Sequence, residues 1–232
     1  MKFPMLTKGI LIRRYKRFLA DVELENGEIV VAHCPNPGSM RSVATPGWSA
    51  YLSSSDNPKR KLKWTLELIR SPDAWILVNT QRPNRIVEEA ILSGLVSELT
   101  GYSELKREVK YGENSRIDLL LSEGSSRCYV EVKNVSLLLE GGQGAFPDSV
   151  TKRGAKHLRE LSKQVEAGNR AVMFYLVSRT DIERLRPAGE IDPNYAKEVE
   201  LALEAGVEMI AYSTEVNDVE VIVSSRIPFS LS

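Results

Sequence analysis

Along the first third of the chain, apolar residues come in short runs interleaved with polar ones, and none of the runs keeps helical spacing. The stretches ILIRRYKRFLADVEL, EIVVAHC, WSAYLSS, KWTLELI and AWILVNT read as β-type. Glu25-Asn26-Gly27-Glu28, Pro35-Asn36-Pro37-Gly38, Thr45-Pro46-Gly47 and Ser55-Asp56-Asn57-Pro58 supply the turns between them. About five strands with no helix predict a small closed barrel. At Gln81-Arg82-Pro83-Asn84 the pattern changes. Proline discourages helix up to that point and Asn84 can cap a helix starting beyond it, so we place a domain boundary between residues 1–83 and 84–232.

Beyond the boundary, Ile86, Val87, Ala90, Ile91 and Leu95 make an apolar stripe that predicts a helix over 85–99. Three strand-like runs come next, LKREVKYG, SRIDLLLS and RCYVEVKNVSLLL, in the manner of an antiparallel meander. After the glycine-rich stretch Glu140-Gly141-Gly142-Gln143-Gly144, the spacing predicts a helix over 149–167 and a fully apolar strand over 171–177. Asp192-Pro193 opens a last helix ending at Gly206, and two strands finish the chain. The second part thus reads α-β-β-β-α-β and then α-β-β, an α/β (α+β) class.

Composition narrows the setting. A chain of 232 residues with 42% hydrophobic content can bury a sizeable core. No apolar run reaches membrane-spanning length, and the N-terminus is broken by Lys, Pro and Arg before an apolar signal could form, so we expect a cytoplasmic protein. Cys34 and Cys128 are far apart, without zinc or redox-dithiol spacing, and read as small hydrophobes in a reducing compartment. The net charge of zero conceals a division. Residues 1–85 hold 14 basic and 7 acidic groups, a balance of +7, while residues 86–232 hold 17 and 24, a balance of −7. The basic part is the natural partner of a polyanion, which points to nucleic acid. Arg13, Arg14, Lys16 and Arg17 flank Tyr15 and Phe18, and Lys59, Arg60 and Lys61 precede Trp64, so cations for phosphates and rings for bases occur together.

The sharpest constellation is Asp118 in SRIDLLL, joined thirteen residues later by Glu131-Val132-Lys133. Alternate side chains of a strand share a face, so Glu131 and Lys133 point together while Val130 and Val132 face the core. A neighbouring strand can bring Asp118 beside them. Two adjacent carboxylates repel, and a hard divalent cation such as Mg²⁺ or Mn²⁺ relieves the repulsion. The Val132 carbonyl is a candidate third ligand, and Lys133 can orient an attacking water or stabilise charge on phosphate. This is the spacing of PD-(D/E)xK nucleases, and αβββαβ is the core order of that fold. A solvated cross-strand ion pair is the plainer alternative, but charged residues inside YVEVKNVSLLL are hard to place unless they face a site. Glu89, or Glu88, on the preceding helix is a candidate further carboxylate; either can also serve as a helix N-terminal acid. Arg153 and Lys156 stack on one helical face beside the site and suit a phosphate backbone, or solvent. His157 reads as a hydrogen-bonding group or an acid–base, and His33 as a strand end entering a turn.

Taken together, YKRFLADV, HCPN, SDNPKRK, GYSELKREVKYG, SRIDLLL, YVEVKNVSL and FPDSVTKRGAKHLREL resemble the sugar fermentation stimulation protein A family from about residue 9 to 165. The resemblance implies an OB-fold-like N-terminal barrel and a PD-(D/E)xK-type C-terminal domain. It also implies DNA binding linked to regulation of sugar metabolism, with Asp118, Glu131, Lys133 and Glu89 at the family's acidic and lysine positions. Pro37 departs from the pattern, standing where a small hydroxyl residue is expected in the CPNxG turn. Two functions stay open: a Mg²⁺-dependent DNA endonuclease or exonuclease, and a non-catalytic DNA-binding regulator. The partner expected is DNA, with neither membrane nor small-molecule substrate, and a homodimer is an assembly open to the chain.

Overall fold

The computed structural model describes residues 1–112 and 114–232. Its N-terminal part contains β1 (Leu6–Tyr15), β2 (Leu19–Leu24), β3 (Ile29–His33), β4 (Ser49–Ser54), β5 (Trp64–Arg70) and a short β6 (Trp75–Leu77). The order is β3-β2-β1-β4-β5-β6, and β3 also pairs with β5, Ala32 opposite Trp64 and His33 opposite Thr65, closing a ring of the first five strands. Alternate residues such as Leu11, Val22, Ala32, Leu52 and Leu66 fill it. The run from Ile10 to Leu24 is two strands rather than one, because Lys16 and Arg17 adopt left-handed φ of 46° and 65° and reverse the chain.

The second part contains α1 (Pro83–Leu92), β7 (Glu104–Tyr111), β8 (Ser115–Glu123), β9 (Ser126–Val135), β10 (Leu137–Leu138), β11 (Gln143–Phe146) and α2 (Lys152–Glu166). It continues with β12 (Arg170–Val177), β13 (Arg184–Pro187), α3 (Pro193–Glu204), β14 (Glu208–Val216) and β15 (Val221–Arg226). The main sheet runs β15-β14-β12-β9-β8-β7, with β7, β8 and β9 antiparallel and β9, β12 and β14 parallel, which is the expected αβββαβ core with an antiparallel edge strand added. Both faces are covered. Val172, Phe174 and Leu176 of β12 join α1, and Ala171, Met173, Tyr175 and Val177 join α2 and α3, which is why that strand reads as apolar throughout. The small sheet β10-β11-β13 was not expected, because strands of two to four residues are too short to show alternation.

Helix α1 is shorter than the stripe over 85–99 predicted. Gly94 takes a left-handed φ of 75°, and Gly94 N–H and Leu95 N–H bond back to Ile91 O and Ala90 O, ending the helix before Leu95. Nor does Asn84 cap it: Arg82 occupies that position without a side-chain bond, and Pro83 supplies the preset first turn. Asp192 does cap α3, accepting from Tyr195 N–H. The expected division between residues 83 and 84 falls within the first turn of α1.

The two parts pack as one body. Tyr51, Leu68 and Leu77 of the barrel share a core with α1, β8, β9, β12 and β14. Leu77 N–H donates to Ser178 O at 2.8 Å, and the buried Arg179 donates to Ser42 O at 2.9 Å. Residues 1–3 pair with the far end of the chain, Lys2 lying opposite Glu220. Among the described residues no helix is long and apolar enough to cross a membrane.

Candidate active site

Between the barrel and the α/β part lies a cleft of about 540 Å³ lined by Asp118, Glu131, Val132 and Lys133. The β8–β9 ladder ends at Leu119 opposite Val130. One residue further along, the Asp118 carboxylate takes over from backbone pairing: Oδ2 accepts from Val132 N–H at 2.8 Å and Oδ1 from Asn84 Nδ2 at 2.8 Å. Asn84 is thus committed to orienting the carboxylate rather than to capping the helix. Each Asp118 oxygen retains a lone pair.

Glu131 sits deeper, at 2% exposure. Its Oε1 accepts from Lys133 Nζ at 2.6 Å and contacts His157 Nδ1. Arg153 Nε donates to His157 Nε2 at 3.3 Å and Lys133 Nζ lies 3.3 Å from His157 Nδ1, so the imidazole links Arg153 to the Glu131–Lys133 pair. This is the hydrogen-bonding reading of His157. Glu131 Oε2 is buried and has no hydrogen-bond partner among the described residues. The two carboxylates differ electrostatically. Burial, and then the charge of Glu131, push Asp118 up to about 6, while for Glu131 the upward push of burial is outweighed by Lys133 and His157, and the net shift is downward.

Glu67 provides the contrast that gives Glu131 meaning. It too is a carboxylate inside an apolar strand, at 1% exposure, yet both its oxygens are satisfied: Ser53 Oγ at 2.7 Å and Arg82 Nη2 at 2.6 Å on one, Asn79 Nδ2 at 2.8 Å and Arg82 Nε at 3.0 Å on the other. Glu67 therefore pins the linker before α1 and so sets where Asn84 meets Asp118. An orphaned buried carboxylate oxygen costs free energy unless something binds it. Among the described residues no three His, Cys, Asp or Glu side chains converge on a metal position. The donors on hand, Glu131 Oε2 and the remaining lone pairs of Asp118, fit a hard cation that keeps several waters rather than zinc.

The other expected residues divide. Glu89 does not enter the cleft: its carboxylate binds the Met1 ammonium at 2.9 Å and Arg85 at 2.9 Å, because the turn of α1 nearest Asp118 is the one carrying Asn84. Glu88 faces Arg107 at 3.6 Å. Arg14 is committed to the wall of the cleft, donating to the carbonyls of Asn36, Gly38 and Ser39. Arg13 pairs with Asp21 at 2.7 Å and lies over the Tyr15 ring. Lys16 and Arg17 are exposed on the turn after β1, and Arg17 lines the cleft. Lys59, Arg60 and Lys61 are exposed between β4 and β5, Arg60 donating to Thr65 at 2.8 Å. His33 lies opposite both Leu19 and Thr65, so the two basic segments adjoin the same end of β3. Arg153 is exposed on the cleft, and Lys156 pairs with Glu160 at 3.5 Å. Pro37 lines the same wall, where Gly38 N–H donates to Asn36 Oδ1.

Comparison with known proteins places both parts of the chain in one family. Residues 12–78 match the family model described as SfsA N-terminal OB domain, and residues 81–220 match that described as sugar fermentation stimulation protein RE domain. The chain belongs to the SfsA family. It is 57% identical to the sugar fermentation stimulation protein homolog of Geotalea uraniireducens, over 93% of this chain and 94% of that one. It is 54% identical to the Maricaulis maris homolog over the full length of both. The structure of Pyrococcus furiosus SfsA in complex with Ca²⁺ superposes with a TM-score of 0.89 at 27% identity, covering 100% of this chain and 98% of that one. The family assignment therefore holds for both parts and for their arrangement.

Proposed function

We propose that this protein binds DNA and hydrolyses its phosphodiesters with a divalent cation, Mg²⁺ or Mn²⁺, held between Asp118 and Glu131. The observation that carries this reading is Glu131 Oε2, a buried carboxylate oxygen of a cleft-lining residue that has no hydrogen-bond donor among the described residues. The Ca²⁺ complex of the P. furiosus relative supports a cation of this class. When bound, the cation would polarise the scissile phosphate and lower the pKa of adjacent water.

The chain's own groups supply the rest. Asn84 and Val132 N–H aim Asp118, while His157 and Lys133 fix Glu131 through the oxygen that a cation does not need. An ammonium has three N–H donors; Lys133 gives one to Glu131 and lies 3.3 Å from His157 Nδ1, which leaves a donor to orient the attacking water or to offset charge growing on the phosphate. The exposed cations of the barrel, Lys16, Arg17, Lys59 and Lys61, together with Arg153 on the opposite wall, attract the backbone; since the α/β part is net acidic, the barrel leads binding.

Incubating the purified protein with labelled single- and double-stranded DNA in Mg²⁺, Mn²⁺ or EDTA tests the proposal. Cleavage is expected only with the metal and is expected to vanish in Lys133→Ala while DNA binding persists. No metal-dependent cleavage of either form, with Lys133→Ala binding DNA as the parent does, would leave the non-catalytic regulator of sugar-metabolism genes as the better reading.

A further inference from the structure

The reacting oxygens lie at the bottom of a narrow space. Glu131 is 2% exposed, and the cleft that it lines has a volume of about 540 Å³. One wall is the 36–38 turn, clamped from both sides. Arg14 holds its carbonyls, and Asp148 accepts from Met40 N–H at 3.0 Å so closely that a Cβ on Gly38 would collide with the carboxylate. The barrel and the α/β part share a core, so these walls do not part without breaking it.

Two exposed apolar groups stand next to the cleft-lining cations in the chain, Phe18 after Arg17 and Val150 before Arg153, and the reading above leaves both unused. Lys16 and Arg17 both hold left-handed φ, a conformation that non-glycine residues rarely adopt and that persists where the surrounding structure imposes it. The turn is closed by Phe18 N–H to Lys16 O at 2.7 Å and tied down by Cys34 N–H to Phe18 O at 2.8 Å. What it presents is a ring: Phe18, which follows Arg17 in the turn, is 42% exposed. Across the cleft, Val150 is 68% exposed, three residues before Arg153.

We propose that the cleft takes a single unpaired DNA strand, with Arg17 and Arg153 on its phosphates and Phe18 and Val150 against its bases. This rests on the reading of Asp118 and Glu131 as the reacting site and names its substrate class. Base-paired DNA keeps its rings stacked inside and its second backbone alongside, so it can neither use Phe18 nor follow one strand down to Glu131. An unpaired strand can do both, because every base offers a face to an aromatic ring.

Fluorescence anisotropy in EDTA, with a labelled mixed-sequence oligonucleotide and its duplex at one salt concentration, separates the possibilities. The single strand is expected to bind at least about tenfold more tightly; Phe18→Ala is expected to weaken single-strand binding about tenfold and duplex binding less than about twofold, with Phe18→Trp restoring the preference. Phe18 is exposed, so the substitution leaves folding intact, which an unchanged melting temperature verifies. Duplex binding equal to or tighter than single-strand binding, or equal losses for both in Phe18→Ala, would overturn the proposal. Because no divalent cation is present, this result is independent of cleavage. Loss of strand preference leaves a metal-dependent nuclease standing, and absence of cleavage leaves the strand preference to be read on its own.

Discussion

Asp118→Asn is expected to make the metal-free protein more stable. Burial, and then the neighbouring charge of Glu131, raise Asp118 from 3.8 to about 6, and at about 1.4 kcal/mol per unit the ionised carboxylate costs the folded state up to about 3 kcal/mol. The folded pKa lies above the unfolded one, so the folded state binds the proton more tightly. The cost is absent below about pH 4, grows between about 4 and 6, and is fully present above that. Asparagine removes the charge but can accept only one of the two hydrogen bonds now made by Val132 N–H and Asn84, turning its amide toward the other donor at about 1–2 kcal/mol. The net gain at about pH 7.5 is then about 1–2 kcal/mol, shrinking to nothing or reversing near pH 4. Urea denaturation of both proteins in EDTA at the two pH values measures it, and the difference between them isolates this group from every other titrating side chain. Adding Mg²⁺ or Mn²⁺ reverses the order, because the parent gains about 2.7 kcal/mol at a hundred times its Kd while Asp118→Asn gains little. An Asp118→Asn protein less stable than the parent at neutral pH without metal would refute the claim that the site is charge-frustrated.

Glu131 answers in the opposite sense. Glu131→Gln leaves the largely buried Lys133 ammonium without its carboxylate and is expected to destabilise by about 3 kcal/mol in the same denaturation assay, although it too removes one of two repelling charges. Glu67→Ala, which strands Arg82 and frees the linker ahead of α1, is expected to cost about 3–5 kcal/mol and to impair the cleft without touching it; unfolding measured beside DNA binding shows both. Lys16→Glu with Arg17→Glu is expected to lower DNA affinity and to reduce the slope of log affinity against log salt by about 2, with folding unchanged; an unaltered slope would remove this turn from the interface. Arg14 has to be left in place in that variant, since it holds the wall rather than the ligand.

The fold was legible where periodicity is strong. The barrel runs after β2, the meander of β7 to β9 and the apolar β12 lie where the pattern put them, because each buries the face or faces that its spacing presents, whereas the first run hid the reversal at Lys16 and Arg17. The end of α1 was misplaced because Leu95 continues the apolar stripe, and stripe and glycine cap compete with no local feature to decide between them. At the site, the grouping of Asp118, Glu131 and Lys133 was readable from strand alternation and from charge within an apolar run. Glu67 carried the same signal and proved structural. Only three-dimensional hydrogen bonding separates a carboxylate whose oxygens are all satisfied from one that leaves Oε2 bare. Asn84 looked like a cap because caps and carboxylate donors use the same side-chain chemistry. Glu89 looked like a ligand because spacing along a helix does not say which turn faces the cleft.

The central claim is that Glu131 Oε2 and Asp118 hold one divalent cation, and anomalous diffraction from crystals soaked in Mn²⁺ tests it most directly. A single peak is predicted between Glu131 Oε2 and the Asp118 carboxylate, with Lys133 and His157 still on Glu131 Oε1 and with the peak abolished in Asp118→Asn. No peak there at a Mn²⁺ concentration that stabilises the protein, or a peak elsewhere in the cleft, would contradict the account.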